Sequence, residues 1–322
     1  MRVVLVAGIV IGCSLPVPTL AADPAFGPPS VLCTVSDPRL TEASGLAVDG
    51  SRLLMVNDGG SALEVFVLDR SCRVTSVVTS PVDPYDVEDL ARAADGTLWL
   101  ADTGDNDRDR DTVALHALRE DGQSVLFRFT YPDGQQDAEA LLLDRAGRPF
   151  VLTKEPQGRA GIYTPAAPPS VSAPTALERV GSLTFAATGT PGGPLGQTGQ
   201  VLITGAAMSP DGALAVVRTY TDAYVYAVTD GDVLAALAGE PVRVSLPPAP
   251  QGEAIAFAAN GRDLLVTSEG TPFDVTVLPA AASSGSAAVE AVERNSTGVN
   301  LAIAAVVAAV LVGFYGLLRR RS

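Results

Sequence analysis

The 322-residue chain is poor in the side chains that perform most enzymatic chemistry. It has one histidine (His116), one lysine (Lys154), three cysteines and only 5% aromatic residues. It contains no G-x-S-x-G elbow, Walker loop, dinucleotide fingerprint, H-E-x-x-H or C-x-x-C motif. His116 falls inside a predicted third strand of its repeat, away from the other polar clusters. A Ser-His-Asp triad, a zinc site, and nucleotide or redox chemistry are therefore disfavoured.

Positive charge is also scarce. The chain has 22 basic against 36 acidic residues, which gives a net charge of −14 at neutral pH. Such a surface repels nucleic acid and attracts cations. We therefore expect no nucleic-acid partner.

The N-terminal residues have the pattern of an export signal. Arg2 precedes an apolar run over residues 3–12, and small residues before position 23 offer a cleavage site. The pattern predicts a secretory signal peptide over residues 1–22. Cys13 ends a lipid-attachment box of the bacterial lipoprotein type, so lipidation there is an alternative.

The C-terminal residues predict a membrane anchor. Residues 299–318 are uncharged and almost wholly apolar, long enough to cross a hydrocarbon core of about 30 Å as a helix. Three arginines open the tail at 319–322, and the positive-inside rule places that tail in the cytoplasm. Residues 281–298 have the composition of a flexible stalk. The prediction is a single-pass membrane protein whose body lies outside the cytoplasm.

Cysteine usage fits this location. With Cys13 in the signal region, Cys33 and Cys72 remain, and two thiols in an oxidising compartment often pair. We predict a disulfide between them; two buried, unreactive thiols are the alternative.

The body of the chain, residues 30–280, repeats one layout five times. Each unit opens on a short phrase, followed by an apolar run, a glycine-containing turn and further apolar strands. The five openings are Glu42-Ala43-Ser44-Gly45-Leu46, Glu88-Asp89-Leu90-Ala91, Glu139-Ala140-Leu141-Leu142, Thr204-Gly205-Ala206-Ala207-Met208 and Glu253-Ala254-Ile255-Ala256-Phe257. Repeats of roughly 45–50 residues with several strands each are typical of a β-propeller.

The repeats predict an all-β propeller of five four-stranded blades. The fifth unit lacks a fourth strand, and residues 30–36 have strand composition, so we expect this N-terminal strand to complete the last blade and close the ring. A sixth, degenerate blade around residues 189–200 is the alternative. We expect a monomer.

Carboxylates recur where first strands begin and second strands end, and these points meet on one face of a propeller. Oxygen ligands without Cys or paired His suit a hard cation, calcium before magnesium. Acids that only cap backbone amides at the blade tops are the alternative reading. The candidate metal ligands are Glu42, Asp58, Glu88, Asp89, Asp102, Asp105, Glu139 and Glu253.

Two cations and two further polar groups fall at the same face. Lys154 and Arg218 end second strands otherwise rich in acids, and Tyr220 and Glu269 lie beside them. A phosphate or carboxylate ligand would use such a cationic pair; internal salt bridges to neighbouring acids are the alternative. The candidate partners are an anionic small molecule or a protein of the cell envelope.

Several phrases resemble a family of exported actinobacterial propellers that is similar to the "esterase-like activity of phytase" group. The phrases, within about residues 30–280, are Glu42-Ala43-Ser44-Gly45, Asn57-Asp58, Val87-Glu88-Asp89-Leu90-Ala91, Gly104-Asp105-Asn106, Asp137-Ala138-Glu139-Ala140-Leu141, Thr153-Lys154-Glu155, Arg218-Thr219-Tyr220 and Gln251-Gly252-Glu253-Ala254-Ile255. The phytase likeness implies calcium on Glu88, Asp89, Asp105 and Glu139, with Lys154 and Arg218 steadying a phosphate. The chain departs from phytases in having so few basic residues.

The sequence thus predicts a membrane-anchored, extracytoplasmic propeller whose acidic face binds a cation and a ligand or partner. A calcium-dependent phosphoester hydrolase is the alternative function.

Overall fold

The computed structural model describes residues 26–281. The predicted signal peptide, Cys13, nearly all of the stalk, the membrane helix and the tail lie outside this range. Within residues 26–281, no helix has the length and apolar character that a membrane crossing requires.

The described residues form an all-β, propeller-like fold with almost no helix. Glycine-containing turns separate short apolar strands, and Gly50, Gly96, Gly147, Gly212 and Gly261 take positive φ at the first turn of the five repeats. The strands group into antiparallel meanders, each of four strands, and one short parallel pairing joins the second and third meanders into an eight-stranded sheet. The single α-helix of the described residues, α1 (Val233–Leu237), begins after Asp232, whose side chain accepts a hydrogen bond from the Ala235 amide.

The meanders follow chain order except at the last. The first comprises β2 (Ala43–Asp49), β3 (Arg52–Asn57), β4 (Leu63–Leu68) and β5 (Val74–Ser80). The second comprises β6 (Val87–Arg92), β7 (Leu98–Asp102), β8 (Val113–Leu118) and β9 (Ser124–Thr130). The third comprises β10 (Ala138–Leu143), β11 (Pro149–Thr153), β12 (Arg159–Pro165) and β13 (Thr175–Thr184). The fourth comprises β14 (Ile203–Met208), β15 (Leu214–Thr219), β16 (Asp222–Ala227) and β17 (Val242–Ser245). The fifth comprises β18 (Ile255–Phe257), β19 (Leu264–Val266), β20 (Phe273–Leu278) and β1 (Ser30–Val35).

The first strands of the meanders line a common centre. β2 contacts β6, β6 contacts β10, β10 contacts β14, β14 contacts β18, and β18 returns to β2. Five buried apolar clusters fill the spaces between successive meanders, including one that joins the fifth to the first. The meanders therefore pack around a closed ring, and the starts of all five inner strands lie at one end of its channel.

The N-terminal strand pairs as the sequence predicts. β1 runs antiparallel to β20, with Val35 opposite Phe273, and supplies the outer strand that the fifth repeat lacks. The structure joins Cys33 on β1 to Cys72, in the turn between β4 and β5, by a disulfide whose Cα atoms are 5.6 Å apart. Strand and disulfide together fasten the last meander to the first.

The segment considered for a sixth blade forms no strand. Residues 186–202 contain only a short 3₁₀ turn over Gly199–Val201. Gln200 and the carboxylate of Asp222 hold the segment through the backbone and hydroxyls of Thr188 and Thr190. It is a surface excursion fixed to the outer part of the fourth meander.

Four inner strands carry an irregularity at the same place. Pairing with the second strand skips one residue between Ala43 and Gly45, Val87 and Asp89, Ala138 and Ala140, and Ile203 and Gly205. A β-bulge of this kind re-aims the extra side chain out of the normal alternation. The bulged residues are Ser44, Glu88, Glu139 and Thr204.

The bulges correct the predicted alignment of the first repeat. The repeated phrases align Glu42 with Glu88, but in the structure Ser44 occupies the bulge position that corresponds to Glu88. Glu42 instead corresponds to Asp137, because their carbonyls accept from the matching amides of Asp58 and Lys154. The first repeat begins with a glutamate, as the second does, but a serine occupies the bulge in the first repeat. Aligning Glu42 with Glu88 is therefore wrong.

Replacing both disulfide cysteines, Cys33→Ser with Cys72→Ser, should lower the free energy of unfolding by about 2–4 kcal/mol, because the unfolded chain loses a crosslink. Urea denaturation of the full-length protein measures the change. If the oxidised wild type unfolds at the same urea concentration as the double variant, the disulfide does not stabilise the fold. Reduced wild type is the matched control and should show the same loss.

Candidate functional site

Carboxylates converge where the inner strands begin. One oxygen each from Asp58, Asp86 and Glu88 lie within 4.8 Å of one another, and so do oxygens from Glu88, Asp137 and Glu139. Glu88 belongs to both groups. We call these five residues the acidic mouth.

The backbone aims these side chains. Glu88 and Glu139 occupy bulges, and Asp86 and Asp137 stand two residues before them. A Cβ on Gly104 would come within 2.3 Å of both the Asp86 Oδ2 and the Glu88 Oε1 atoms, so only glycine leaves room for the two carboxylates. Asp105 follows directly, and its amide donates to Asp137 Oδ1 over 3.0 Å.

Hydroxyl groups replace the acids at the other two bulges. Ser44 Oγ donates to the Glu88 carbonyl over 2.6 Å, and Thr204 Oγ1 donates to the Glu253 carbonyl over 3.1 Å. Each hydroxyl therefore ties its inner strand to the next one round the ring.

Burial makes the mouth electrostatically strained. Glu88 and Glu139 are 4% and 3% exposed. Burial raises the pKa of Glu88 well above its usual value, and the charges of Glu139 and Asp58 add to the rise. Burial raises the pKa of Glu139 to about 7, even though Lys154 opposes the shift. Neighbouring carboxylates so placed favour a bound proton or a bound cation.

The aspartates at the rim behave in the same way. Burial and the adjacent Asp58 raise the pKa of Asp86 to about 7. Burial likewise raises the pKa of Asp58, and Glu139, Glu42 and Glu269 push it in the same direction. Burial also raises the pKa of Asp137.

Lys154 supplies the positive charge of the mouth. Its Nζ donates to Glu139 Oε1 over 2.6 Å and lies 5.4 Å from the centre of the Tyr220 ring. Burial alone would lower the pKa of Lys154, but Glu139, Tyr220 and Glu253 together raise it, so the ammonium stays charged. The internal salt bridge anticipated as an alternative is therefore present, and it leaves two of the three ammonium protons for other acceptors.

Glu253 is the least satisfied acid of the region. It is 3% exposed, and its Oε2 has no hydrogen-bond partner among residues 26–281. Burial raises its pKa well above normal, with Glu139 adding to the rise and Lys154 opposing it. A buried carboxylate oxygen without a partner is costly, which favours a protonated Glu253 or a hydrogen-bond donor that residues 26–281 do not supply.

Arg218 faces the backbone rather than the opening. It is 1% exposed, and its Nη1 donates to the Ala254 and Thr267 carbonyls of the fifth meander, over 2.9 Å in the second case. Burial lowers its pKa to about 10, which Glu253 partly offsets. Arg218 supports the strand that carries Glu253, while Lys154 is the cation that lies at the mouth.

Asp102 supports the mouth without belonging to it. Its carboxylate accepts from the amides of Tyr85 and Asp86, from Arg110 Nη2 over 2.8 Å and is 3.0 Å from His116 Nε2. Burial would raise its pKa, but the hydrogen bond from His116 and the charge of Arg110 lower it overall. With both oxygens engaged, Asp102 fixes the segment that presents Asp86.

Asp105 has a similar supporting part. Its carboxylate accepts from the amides of Asp109 and Arg110, which folds the acidic loop after β7 back on itself. The dense run of acids in this loop is mostly exposed to solvent. The loop is therefore a turn built around Asp105.

Asp89 lies in the centre of the ring. It is completely buried, and it accepts from the amides of Leu90, Leu141 and Ala206 over 2.8, 2.8 and 3.2 Å. These amides belong to three different inner strands. Asp89 is among the predicted metal ligands, and in the structure its two carboxylate oxygens join β6, β10 and β14.

The remaining predicted residues lie at the rim. Glu42 is exposed, and Glu269 is half-buried with a pKa raised by burial and by the charge of Glu42. Asp86 and Asp137 were not among the candidate ligands, although each precedes a candidate glutamate by two residues. That D-x-E spacing, seen twice, is the signal that could have found them.

No family model and no curated protein sequence matches this chain. Solved structures with a similar propeller-like fold include a gluconolactonase from Xanthomonas campestris, at 17% identity over 74% of this chain and 72% of that one, with a TM-score of 0.43. A glucose dehydrogenase has 11% identity over 79% and 100% of the two chains, with a TM-score of 0.44. The PQQ-bound aldose sugar dehydrogenase from Streptomyces coelicolor has 12% identity over 80% and 99%, with a TM-score of 0.42. This likeness concerns the fold alone, and the resemblance to the phytase group is not confirmed by it.

Replacing Asp89 tests its structural role. Asp89→Ala should lower the free energy of unfolding by about 3 kcal/mol or more, because three buried amides lose their acceptor. Asp89→Asn should cost less, since one oxygen remains. Urea denaturation of both variants gives the comparison. Equal stability of Asp89→Ala and wild type would contradict the role.

Proposed function

We propose that the five meanders are the blades of a propeller whose acidic mouth binds one divalent hard cation, calcium before magnesium, and through it a ligand or partner. The observation that carries the proposal is the pair of overlapping carboxylate groups that share Glu88. Within each group the three oxygens lie at most 4.8 Å apart, which is twice a calcium–oxygen distance of about 2.4 Å, so small side-chain adjustments would let the oxygens of one group share an ion.

The chemistry of the donors supports a cation. All five mouth residues offer carboxylate oxygens, and no histidine or cysteine lies among them. Calcium takes six to eight oxygen ligands, so the mouth residues could hold it together with water or ligand oxygens. The raised pKa values of Asp86 and Glu139 have the same physical origin, which is negative charge held close together away from water.

The ligand would meet both signs of charge. Lys154 is 15% exposed by its side chain and retains two free ammonium protons, so it could bind an anionic group shared with the cation. The buried Glu253 Oε2 could accept from a hydroxyl of the same ligand if the mouth opens far enough to admit it. An anionic small molecule or a cell-envelope protein with an anionic group fits this arrangement.

The location forms part of the proposal. We propose an exported body, residues 30–280, held outside the cytoplasm by a stalk and a single helix over residues 299–318, after removal of residues 1–22. The disulfide between Cys33 and Cys72 supports an oxidising compartment.

Calcium should reverse the pH dependence of stability. Asp86 and Glu139 have folded-state pKa values of about 7, above their ordinary 3.8 and 4.5. Without metal, their contribution to stability is complete below about pH 4 and is lost as the pH rises through about 7. Calcium replaces the protons, so we expect the melting temperature in excess calcium to exceed that in chelator far more at pH 8 than at pH 5. A calcium concentration of 100 Kd would add about 2.7 kcal/mol.

Differential scanning fluorimetry of the full-length protein measures this shift. Glu88→Gln should abolish most of it, because Glu88 belongs to both carboxylate groups. Glu178→Gln removes an exposed charge on β13 and should leave the shift unchanged. Wild type that shows no shift in millimolar calcium at pH 8 would refute the cation site.

Phosphoester hydrolysis is the second candidate function, and the position of Lys154 beside the carboxylates favours it. A cation held there would polarise a phosphoryl oxygen, while Lys154 would hold the anionic substrate in place. We expect calcium-stimulated release of nitrophenol from p-nitrophenyl phosphate, reduced about 10²-fold by Lys154→Met. Glu178→Gln should retain the wild-type rate. If no turnover is detected, or if Lys154→Met does not change the rate, the hydrolase function is rejected and only the binding function remains.

A further inference from the structure

Lys154 occupies a position where it competes with a bound cation. Its ammonium donates to Glu139 Oε1 over 2.6 Å, and Glu139 belongs to one of the two carboxylate groups of the acidic mouth. An ammonium and a divalent ion beside one buried carboxylate repel each other strongly, because little water lies between them to screen the charges. A cation that enters this group therefore displaces Lys154 from Glu139.

A second acceptor for the ammonium lies across the mouth, at the start of the fifth meander. Glu253 is 3% exposed, and its Oε2 has no hydrogen-bond partner among residues 26–281. Tyr220 of the fourth meander contacts the surroundings of both groups. Lys154 Nζ lies 5.4 Å from the centre of the Tyr220 ring, and a Cβ on Gly252 would lie 3.0 Å from the Tyr220 carbonyl oxygen. The ammonium thus already extends from the third meander over the fourth, which adjoins Glu253.

The charges of the two groups act on each other. Burial opposes the charged form of each, yet Glu253 helps to raise the pKa of Lys154, and Lys154 limits the rise in the pKa of Glu253. The Lys154 side chain is 15% exposed, so packing does not enclose it on every side. A lysine ammonium stands on a flexible four-carbon stem, so it can change its acceptor without movement of the backbone.

Arg218 is held too firmly to become the donor to Glu253. Its Nε also lacks a partner, but its Nη1 donates to the carbonyls of Ala254 and Thr267, and the residue is only 1% exposed. These bonds fix the guanidinium against the fifth meander. Lys154, on its flexible stem, is the cation whose position can change.

We propose that Lys154 is an internal counter-ion that changes partner when a cation binds: its ammonium leaves Glu139, donates to Glu253 Oε2 and remains at the mouth. This exchange rests on the cation site proposed above and adds its regulation. Without a bound cation the ammonium neutralises Glu139, and with one it satisfies a buried carboxylate oxygen that otherwise lacks a donor. Glu253 therefore strengthens cation binding as a positioning residue that does not touch the ion.

A double-mutant cycle on calcium affinity tests the exchange. Isothermal titration calorimetry of the full-length protein at pH 8 gives the calcium Kd of wild type, Glu253→Met, Lys154→Met and the double variant. Glu253→Met should weaken calcium binding about tenfold, through the loss of one charge-assisted hydrogen bond. Lys154→Met should bind calcium more tightly than wild type, because no ammonium has to be displaced. In that background, Glu253→Met should have little further effect.

The ammonium can also be followed directly, because Lys154 is the only lysine in the chain. Protein labelled with 13C at the lysine Cε gives one side-chain signal in the NMR spectrum. Calcium should move this signal in wild type. Glu253→Met should change the position of the signal in calcium and leave its calcium-free position unchanged, because Glu253 is the acceptor only when the cation is bound.

The matched control is Glu42→Gln, which neutralises an exposed acid at the rim of the same face. It should change the calcium Kd by the same factor with and without Lys154. The melting temperature shows whether each variant is folded. Glu253→Gln retains an uncharged acceptor, so it should show the Glu253→Met pattern with a smaller loss, and it takes the place of Glu253→Met if that variant unfolds.

Two results would overturn the exchange and leave the cation site intact. The first is an equal effect of Glu253→Met on calcium affinity with and without Lys154, which is the result of simple charge removal. The second is a Lys154 signal in calcium that does not depend on Glu253. Absence of calcium binding to wild type is a different result, and it would refute the cation site and the exchange together.

Discussion

Packing of each meander against both of its neighbours is the interaction on which the rest of the structure depends. Apolar clusters fill all five interfaces, including the one between the last and first meanders. Because the ring is closed, no meander can tilt without opening two interfaces at once. That rigidity brings Asp58, Asp86, Glu88, Asp137 and Glu139 together, although the first and the last are 81 positions apart in the chain.

The centre of the ring adds polar constraints to this apolar packing. Asp89 joins three inner strands, and the hydroxyls of Ser44 and Thr204 bridge two further pairs. Bulges at the equivalent positions of the second and third meanders aim Glu88 and Glu139 at the mouth. A mouth rich in carboxylates opposes folding at neutral pH, because desolvated like charges repel one another. The packing holds the acids in place, and a bound cation would remove the repulsion.

The two ends of the channel differ in chemistry for a reason visible in the strands. Acids gather at the starts of the inner strands, while alanines, leucines, Arg92 and Arg145 line the opposite end of the channel together with Asp144. One scaffold therefore presents an acidic region at one end of the channel and a more apolar region at the other.

The repeated phrases, glycine turns and alternation of apolar residues were enough to predict the strands, the order of the meanders and the use of residues 30–36 as the closing strand. Two cysteines outside the predicted signal peptide were enough to suggest their pairing. These features are local or follow from counting units, so a single sequence contains them. Only the tertiary structure decided the direction of each acidic side chain and the groups that it contacts. Glu88 and Asp89 are adjacent, yet Asp89 joins backbone amides and Glu88 faces the mouth, and the bulge at Glu88 sets the direction of its side chain. Asp102, His116 and Arg110 form one network, and Glu42 lies out of step with Glu88, for similar reasons. Side-chain direction at a bulge depends on pairing with a neighbouring strand, and that information is distributed over residues far apart in the chain.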